Sequence, residues 1–98
     1  MTKTYYHATL FENLESIMDQ GLHKGCDGVV YLTEKPEEAA RFVLVRGCTD
    51  ILVCEVQVSE DLVEEMFDHN PKFFKCRAFG YSDDISPDNI TEYIRYTI

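Results

Sequence analysis

The run Thr4-Tyr5-Tyr6-His7-Ala8, continued by Thr9-Leu10-Phe11-Glu12-Asn13-Leu14 and on through Ile17-Met18-Asp19-Gln20-Gly21-Leu22, decides how the rest of the chain is read. Thr4 to Ala8 is rich in β-favouring residues, and alternation puts Tyr5 and His7 on one side with Tyr6 on the other. This predicts a first strand. Thr9 followed three residues later by Glu12 has the form of a capping box, and Leu10, Leu14, Ile17 and Met18 recur at helical spacing. A helix over Leu10 to Gln20 is expected, closed by Gly21 as a left-handed cap with Leu22 folding back on the last turn.

Outward from that unit, Val29 to Thr33 is a short apolar run that predicts a buried second strand after the glycine-containing loop His23 to Gly28. Pro36, Glu37 and Glu38 suit a first helical turn, and Ala39, Ala40, Phe42 and Val43 supply its apolar face, with an end near Arg46 and Gly47. Ile51 to Val58 is β-branched and predicts a third strand. Ser59, Glu60 and Asp61 read as the start of a short helix or 3₁₀ segment over Asp61 to Phe67, stopped by Asn70-Pro71. Phe73 to Tyr81 and Ile90 to Ile98 alternate as strands on either side of the turn-forming Ser82 to Asp88. Strand, helix, strand, helix and then mostly strands is not the regular alternation of a doubly wound parallel sheet, so the expected class is α+β with two or three helices.

At 98 residues, the stretch 1–98 reads as a single domain. Hydrophobic residues at 45% and charged residues at 28% are globular values and exclude a mainly disordered chain. The formal net charge of −9 argues against DNA and structured RNA as partners, because such binding draws its affinity from neutralised phosphates. The same sign disfavours anionic membranes, and no apolar run approaches the roughly 20 residues that span a bilayer. The expected location is cytoplasmic. Cys26, Cys48, Cys54 and Cys76 contain no C-x-x-C pair and His7, His23 and His69 no ligand doublet, so no metal site is expected. Cys54 and Cys76 read as small buried hydrophobes.

One constellation carries chemistry. His7 ends the first strand and Tyr31 lies inside Val30-Tyr31-Leu32-Thr33. A neutral imidazole can hydrogen-bond a sugar hydroxyl and a tyrosine face can stack on a flat heterocycle, so the pair suits a nucleotide-type ligand if the sheet presents both to one cleft. The plainer alternative is a core tyrosine beside a strand-end histidine bonded to backbone. The acidic pairs Glu60-Asp61, Glu64-Glu65 and Asp83-Asp84 lack metal-loop spacing and read as solvated faces. Phe73-Phe74 between Lys72 and Lys75 reads as core packing rather than base stacking.

Tyr6-His7-Ala8-Thr9, the helix ending at Gln20-Gly21-Leu22, Val30-Tyr31-Leu32-Thr33 and Pro36 to Phe42 together resemble the opening half of the ADP-ribosyltransferase superfamily, which includes poly-ADP-ribose polymerases and RNA 2′-phosphotransferases. Asp84 to Ile90 is similar to the run that leads into that family's last strand. The resemblance implies a small split β-sheet and NAD as substrate, held by His7, Ala8, Thr9, Tyr31 and Arg77. It implies His7 on a ribose and Tyr31 against nicotinamide as the catalytic pair, with Ala8 offering backbone groups where relatives commonly have glycine. It also implies a glutamate on the strand corresponding to Phe73 to Tyr81, where this chain has no Glu or Asp between Asp68 and Asp83. Loss of such a group costs about 10² to 10³ in rate, so the expectation is an NAD- or ADP-ribose-binding domain, and a mono-ADP-ribosyltransferase only without the usual acid. Glu55 and Glu92 are the substitutes to locate. The phosphotransferases hold phosphates with arginines instead, which directs attention to Arg41, Arg46 and Arg77, although an acidic chain lacks the basic groove RNA requires. The competing expectation keeps the fold and discards the ligand: a small acidic protein that works by binding another protein.

Overall fold

Residues 2–24, 28–44, 47, 49–66 and 78–97 are described by a computed structural model. The strands are β1 (Thr2–Leu10), β2 (Val30–Thr33), β3 (Asp50–Ser59), β4 (Val63–Met66), β5 (Ala78–Tyr81) and β6 (Ile90–Thr97), and the helices are α1 (Leu14–Gln20) and α2 (Pro36–Leu44). All six strands pair antiparallel in the order β4-β5-β2-β1-β3-β6. The class is therefore α+β. No described helix is long and apolar enough to cross a membrane.

The reason the sheet holds its order is legible in β3. Ile51 and Val53 face one side, where Ala39, Ala40 and Val43 of α2 cover them. Leu52, Cys54, Val56 and Val58 face the other, packing with Tyr5, Val30, Leu32, Phe79, Ile85 and Ile90, and with Ile17 from α1 and Leu22 just after it. Ile51, Val53, Cys54 and Val56 are 0% exposed, so β3 is buried on both faces where α2 lies over it. Beyond Cys54 the strand alternates, because α2 no longer covers Glu55 and Gln57, which are half-buried. Burying each large apolar side chain contributes about 1.5–3 kcal/mol, and β3 contributes to both cores at once.

Several local expectations are corrected. The helix does not start at Leu10: β1 runs through Thr9 and Leu10, a 3₁₀ turn follows over Phe11–Asn13, and α1 begins at Leu14. Nine consecutive pairs between β1 and β3, from Thr2↔Ser59 to Leu10↔Ile51, outweigh the capping signal. Thr9 makes no capping bond; its hydroxyl accepts from Asn13 Nδ2 at 3.0 Å. Met18, expected on the packed face, is 56% exposed, since the shortened helix buries only Ile17.

Gly21 does take a positive φ of 79°, but its ψ of −159° extends the chain instead of curling it. Leu22 then bridges Ile85 through two backbone hydrogen bonds of 2.8 and 2.7 Å and does not fold back on the helix. The expected helical segment after Ser59 is a 3₁₀ turn over Glu60–Leu62 only, and Val63–Met66 is strand. The free edge of β5 offers those four residues a ladder, and Val63 packs against the larger core. Of the expected strand Phe73 to Tyr81, Ala78–Tyr81 is β5; Phe73 to Arg77 lie outside the described residues, as does Ile98 at the end of the last strand.

Candidate functional site at the parting of the sheet

The sheet has a weak seam. β1 is zipped to β3 by nine register pairs and β2 to β5 by four, yet β1 meets β2 through one, Tyr6↔Thr33. The six strands are thus two three-stranded halves, β4-β5-β2 and β1-β3-β6, that part immediately beyond Tyr6. His7 is the first residue on the β1 side of that parting.

Tyr31 pairs with Gly80 on the β5 side of β2. Its backbone carbonyl also meets a side chain from β1: His7 Nδ1 lies 2.7 Å from Tyr31 O. A carbonyl has no proton to give, so Nδ1 carries the hydrogen, and in the neutral ring Nε2 keeps its lone pair as an acceptor. His7 is half-buried. Burial lowers its pKa from the ordinary 6.5, and the bond to the Tyr31 carbonyl opposes this more weakly. The ring is consequently neutral at pH 7, with a fixed tautomer, and suited to accept a hydrogen bond from a hydroxyl.

Register decides where the two rings point. Paired residues share a face, so His7 stands with its partner Cys54, in the α1 core, while Tyr6 and its partner Thr33 face the α2 layer. Tyr31, two residues from Thr33, shares the Thr33 face and is 41% exposed. His7 and Tyr31 therefore do not sit side by side on one continuous surface. They flank the parting from opposite faces, and they meet through the Tyr31 carbonyl. A histidine bonded to backbone is the plainer of the two arrangements expected for His7; that the carbonyl it meets belongs to Tyr31 is what no side-chain pattern signals.

Ala8 follows His7 along the same β1 edge, where no described residue of β2 pairs with it. Thr9 is committed to Asn13. Arg77 and Arg46 lie outside the described residues, and Arg41 is exposed in the last turn of α2. Glu55 and Glu92 are on the far side of β1 from the parting, opposite one another on β3 and β6. Glu55 Oε2 accepts from the Tyr6 hydroxyl at 3.1 Å and Oε1 from Thr91 Oγ1 at 2.8 Å. Burial first, and this carboxylate second, push the Tyr6 phenol up. Neither glutamate reaches His7's side of the molecule, so neither replaces the absent acid.

Cys54, across the ladder from His7, is fully buried, and burial pushes its thiol up to about 12, which removes it as a nucleophile. A hollow of about 350 Å³ lies elsewhere, bounded by Leu10, Phe11, Glu12, Gly47, Thr49 and Asp50. Asp50 at its rim is already held by both Arg95 Nε and Nη2, at 2.9 and 2.8 Å. Among the described residues no three His, Cys, Asp or Glu side chains are grouped to hold a metal ion. Neither a known protein family nor a curated protein matches the chain.

Proposed function

We propose that this domain binds NAD or ADP-ribose at the parting between β2 and β1. The observation that carries the reading is the His7 imidazole, bonded through Nδ1 to the Tyr31 carbonyl, desolvated, neutral and with Nε2 as an acceptor. Such an acceptor suits a ribose hydroxyl. On this reading a flat ring that displaces the His7–Tyr31 contact and enters edge-on between β1 and β2 meets His7 from one face and Tyr31 from the other. The β1 edge at Ala8 offers backbone groups to an amide entering the same gap. The division of the sheet into two halves also agrees with the split sheet implied by the resemblance to ADP-ribosyltransferases.

Binding is better supported than transfer. Stabilising an oxocarbenium-like centre needs a carboxylate beside the ribose; Glu55 is engaged on the other side of β1, with Glu92 opposite it on β6. Mono-ADP-ribosyl transfer, where it occurs, runs without that acid.

Calorimetric titration of the full chain with NAD and with ADP-ribose tests the proposal. Saturable heat that is weakened comparably in His7→Ala and in Tyr31→Ala is the expected result. Absence of heat up to millimolar ligand, with the chain folded, removes the nucleotide site and leaves the reading of an acidic protein that acts through a protein partner.

A further inference from the structure

The two outer edges of the sheet are built differently. β4 is four residues long, Val63-Glu64-Glu65-Met66, and follows Glu60 and Asp61, so it is short and strongly charged. Both are devices by which proteins keep an edge from pairing with another chain. β6 has neither. It runs eight residues, Ile90 to Thr97, without Pro, Gly or Lys, is dominated by Ile, Tyr and Thr, and its single acid and single arginine cancel. Its one irregularity, a bulge where the β3 partner steps from Glu55 to Val56, lies near Thr91 and leaves Glu92 to Thr97 regular. Among the described residues no strand lies beyond it.

We propose that this edge is an interface, and that its occupant is the β6 edge of a second copy, paired antiparallel about a two-fold axis through Ile94. A two-fold axis normal to the sheet keeps the faces in common, so paired residues are both odd or both even and the axis passes through one residue. An axis at Glu92 sets carboxylate against carboxylate, and one at Arg95 sets guanidinium against guanidinium. An axis at Tyr93 draws the bulged Thr91 into the ladder. The axis at Ile94 uses the regular stretch alone. It sets Ile94 against Ile94 of the second copy, Tyr93 against Arg95 twice, and Glu92 against Tyr96 twice. These are apolar, ring-to-stem and carboxylate-to-hydroxyl pairs with no like charges opposed. Arg95 is ordered, its guanidinium held inward by Asp50 and stacked 4.0 Å from the centroid of Phe11, so it presents its aliphatic stem to Tyr93 of the second copy. β6 is separated from the β2–β1 parting by β3 and β1, so pairing leaves the candidate nucleotide site open.

Sedimentation equilibrium of the full chain from micromolar to millimolar concentration is the test. A monomer–dimer equilibrium is expected, strengthened by added salt because each copy carries a net charge of −9. Tyr96→Glu opposes two carboxylates twice per interface and should weaken dimerisation by about two- to thirtyfold. Adding Glu92→Lys to that variant should restore it, which a mere folding defect would not do. Ile94→Cys should cross-link to itself under mild oxidation, and Tyr93→Cys should not. A monomer at every concentration and salt, an unrescued double variant, or cross-linking through position 93 in place of 94 overturns the proposal.

Discussion

Gly21→Ala tests the junction that ties α1 to the loop before β6. The Gly21 backbone, at φ 79° and ψ −159°, occupies a region that essentially only glycine enters. A Cβ there would collide with the carbonyl oxygen of Ile85 and come within 2.9 Å of Pro87 Cδ. That carbonyl accepts from Leu22 N, so the collision falls on one of the two hydrogen bonds of the Leu22–Ile85 bridge. Backbone strain costs about 1–3 kcal/mol, and losing that bridge bond at about 1 kcal/mol brings the total to about 2–4 kcal/mol. A domain of this size has about 5–15 kcal/mol in all, so the variant should be close to unfolding in mild urea. Gly28→Ala is the internal control: φ is 83°, but a Cβ meets nothing within 4 Å, so only a left-handed cost of about 1–2 kcal/mol applies. Urea unfolding followed by far-ultraviolet circular dichroism measures both. Equal losses in the two variants, or a Gly21→Ala loss below about 1 kcal/mol, would refute the collision argument.

Three further outcomes are expected. Because the folded-state pKa of His7 lies below its ordinary 6.5, the unfolded chain binds the extra proton first as pH falls. The stabilisation is complete above that value and declines as pH drops from 6.5 toward the folded pKa, so unfolding free energy measured by urea titration should slope upward with pH there, and His7→Gln should flatten that slope. The lowered Asp50 and Asp84 act in a separate window, below 3.8. Cys54, buried with its thiol pushed up to about 12, should resist iodoacetamide in the native protein and react once urea unfolds it, as read by peptide mass mapping. Glu92→Gln removes a like charge directly opposite Glu55 and should raise stability by about 0.2–1 kcal/mol in thermal unfolding.

The fold class was legible because it depends on periodicity. The β-branched run Ile51 to Val58, the apolar face of α2 and the alternation of the last strand are all written in residue type, and each element is present close to its expected place. What was not legible was competition for hydrogen bonds between distant segments. Thr9 and Glu12 look like a helix start in isolation, but Thr9 and Leu10 are claimed by Leu52 and Ile51, more than forty positions later. Val63 to Met66 follows a capping-type serine, yet it pairs with β5. In both cases a long-range ladder overrode a local preference worth about 1 kcal/mol.

The candidate site failed to be fully legible for a related reason. Residue types identified His7 and Tyr31, but whether two strand residues share a surface depends on register parity, and a shift of one residue reverses it. Tyr6↔Thr33 sets that parity, leaving His7 one step from the pair and Tyr31 two, hence on opposite faces. In a continuous sheet this would separate them for good. Beyond Tyr6↔Thr33 no further β1–β2 pair is made among the described residues, and His7 Nδ1 meets the Tyr31 carbonyl there. On the proposed reading, a ligand that displaces this contact and enters between the two strand edges can engage both rings at once, whereas one lying flat on either face can engage only one. His7→Ala and Tyr31→Ala therefore discriminate more than presence from absence of a site: comparable losses in both variants place the ligand in the gap, and loss in one alone places it on a face.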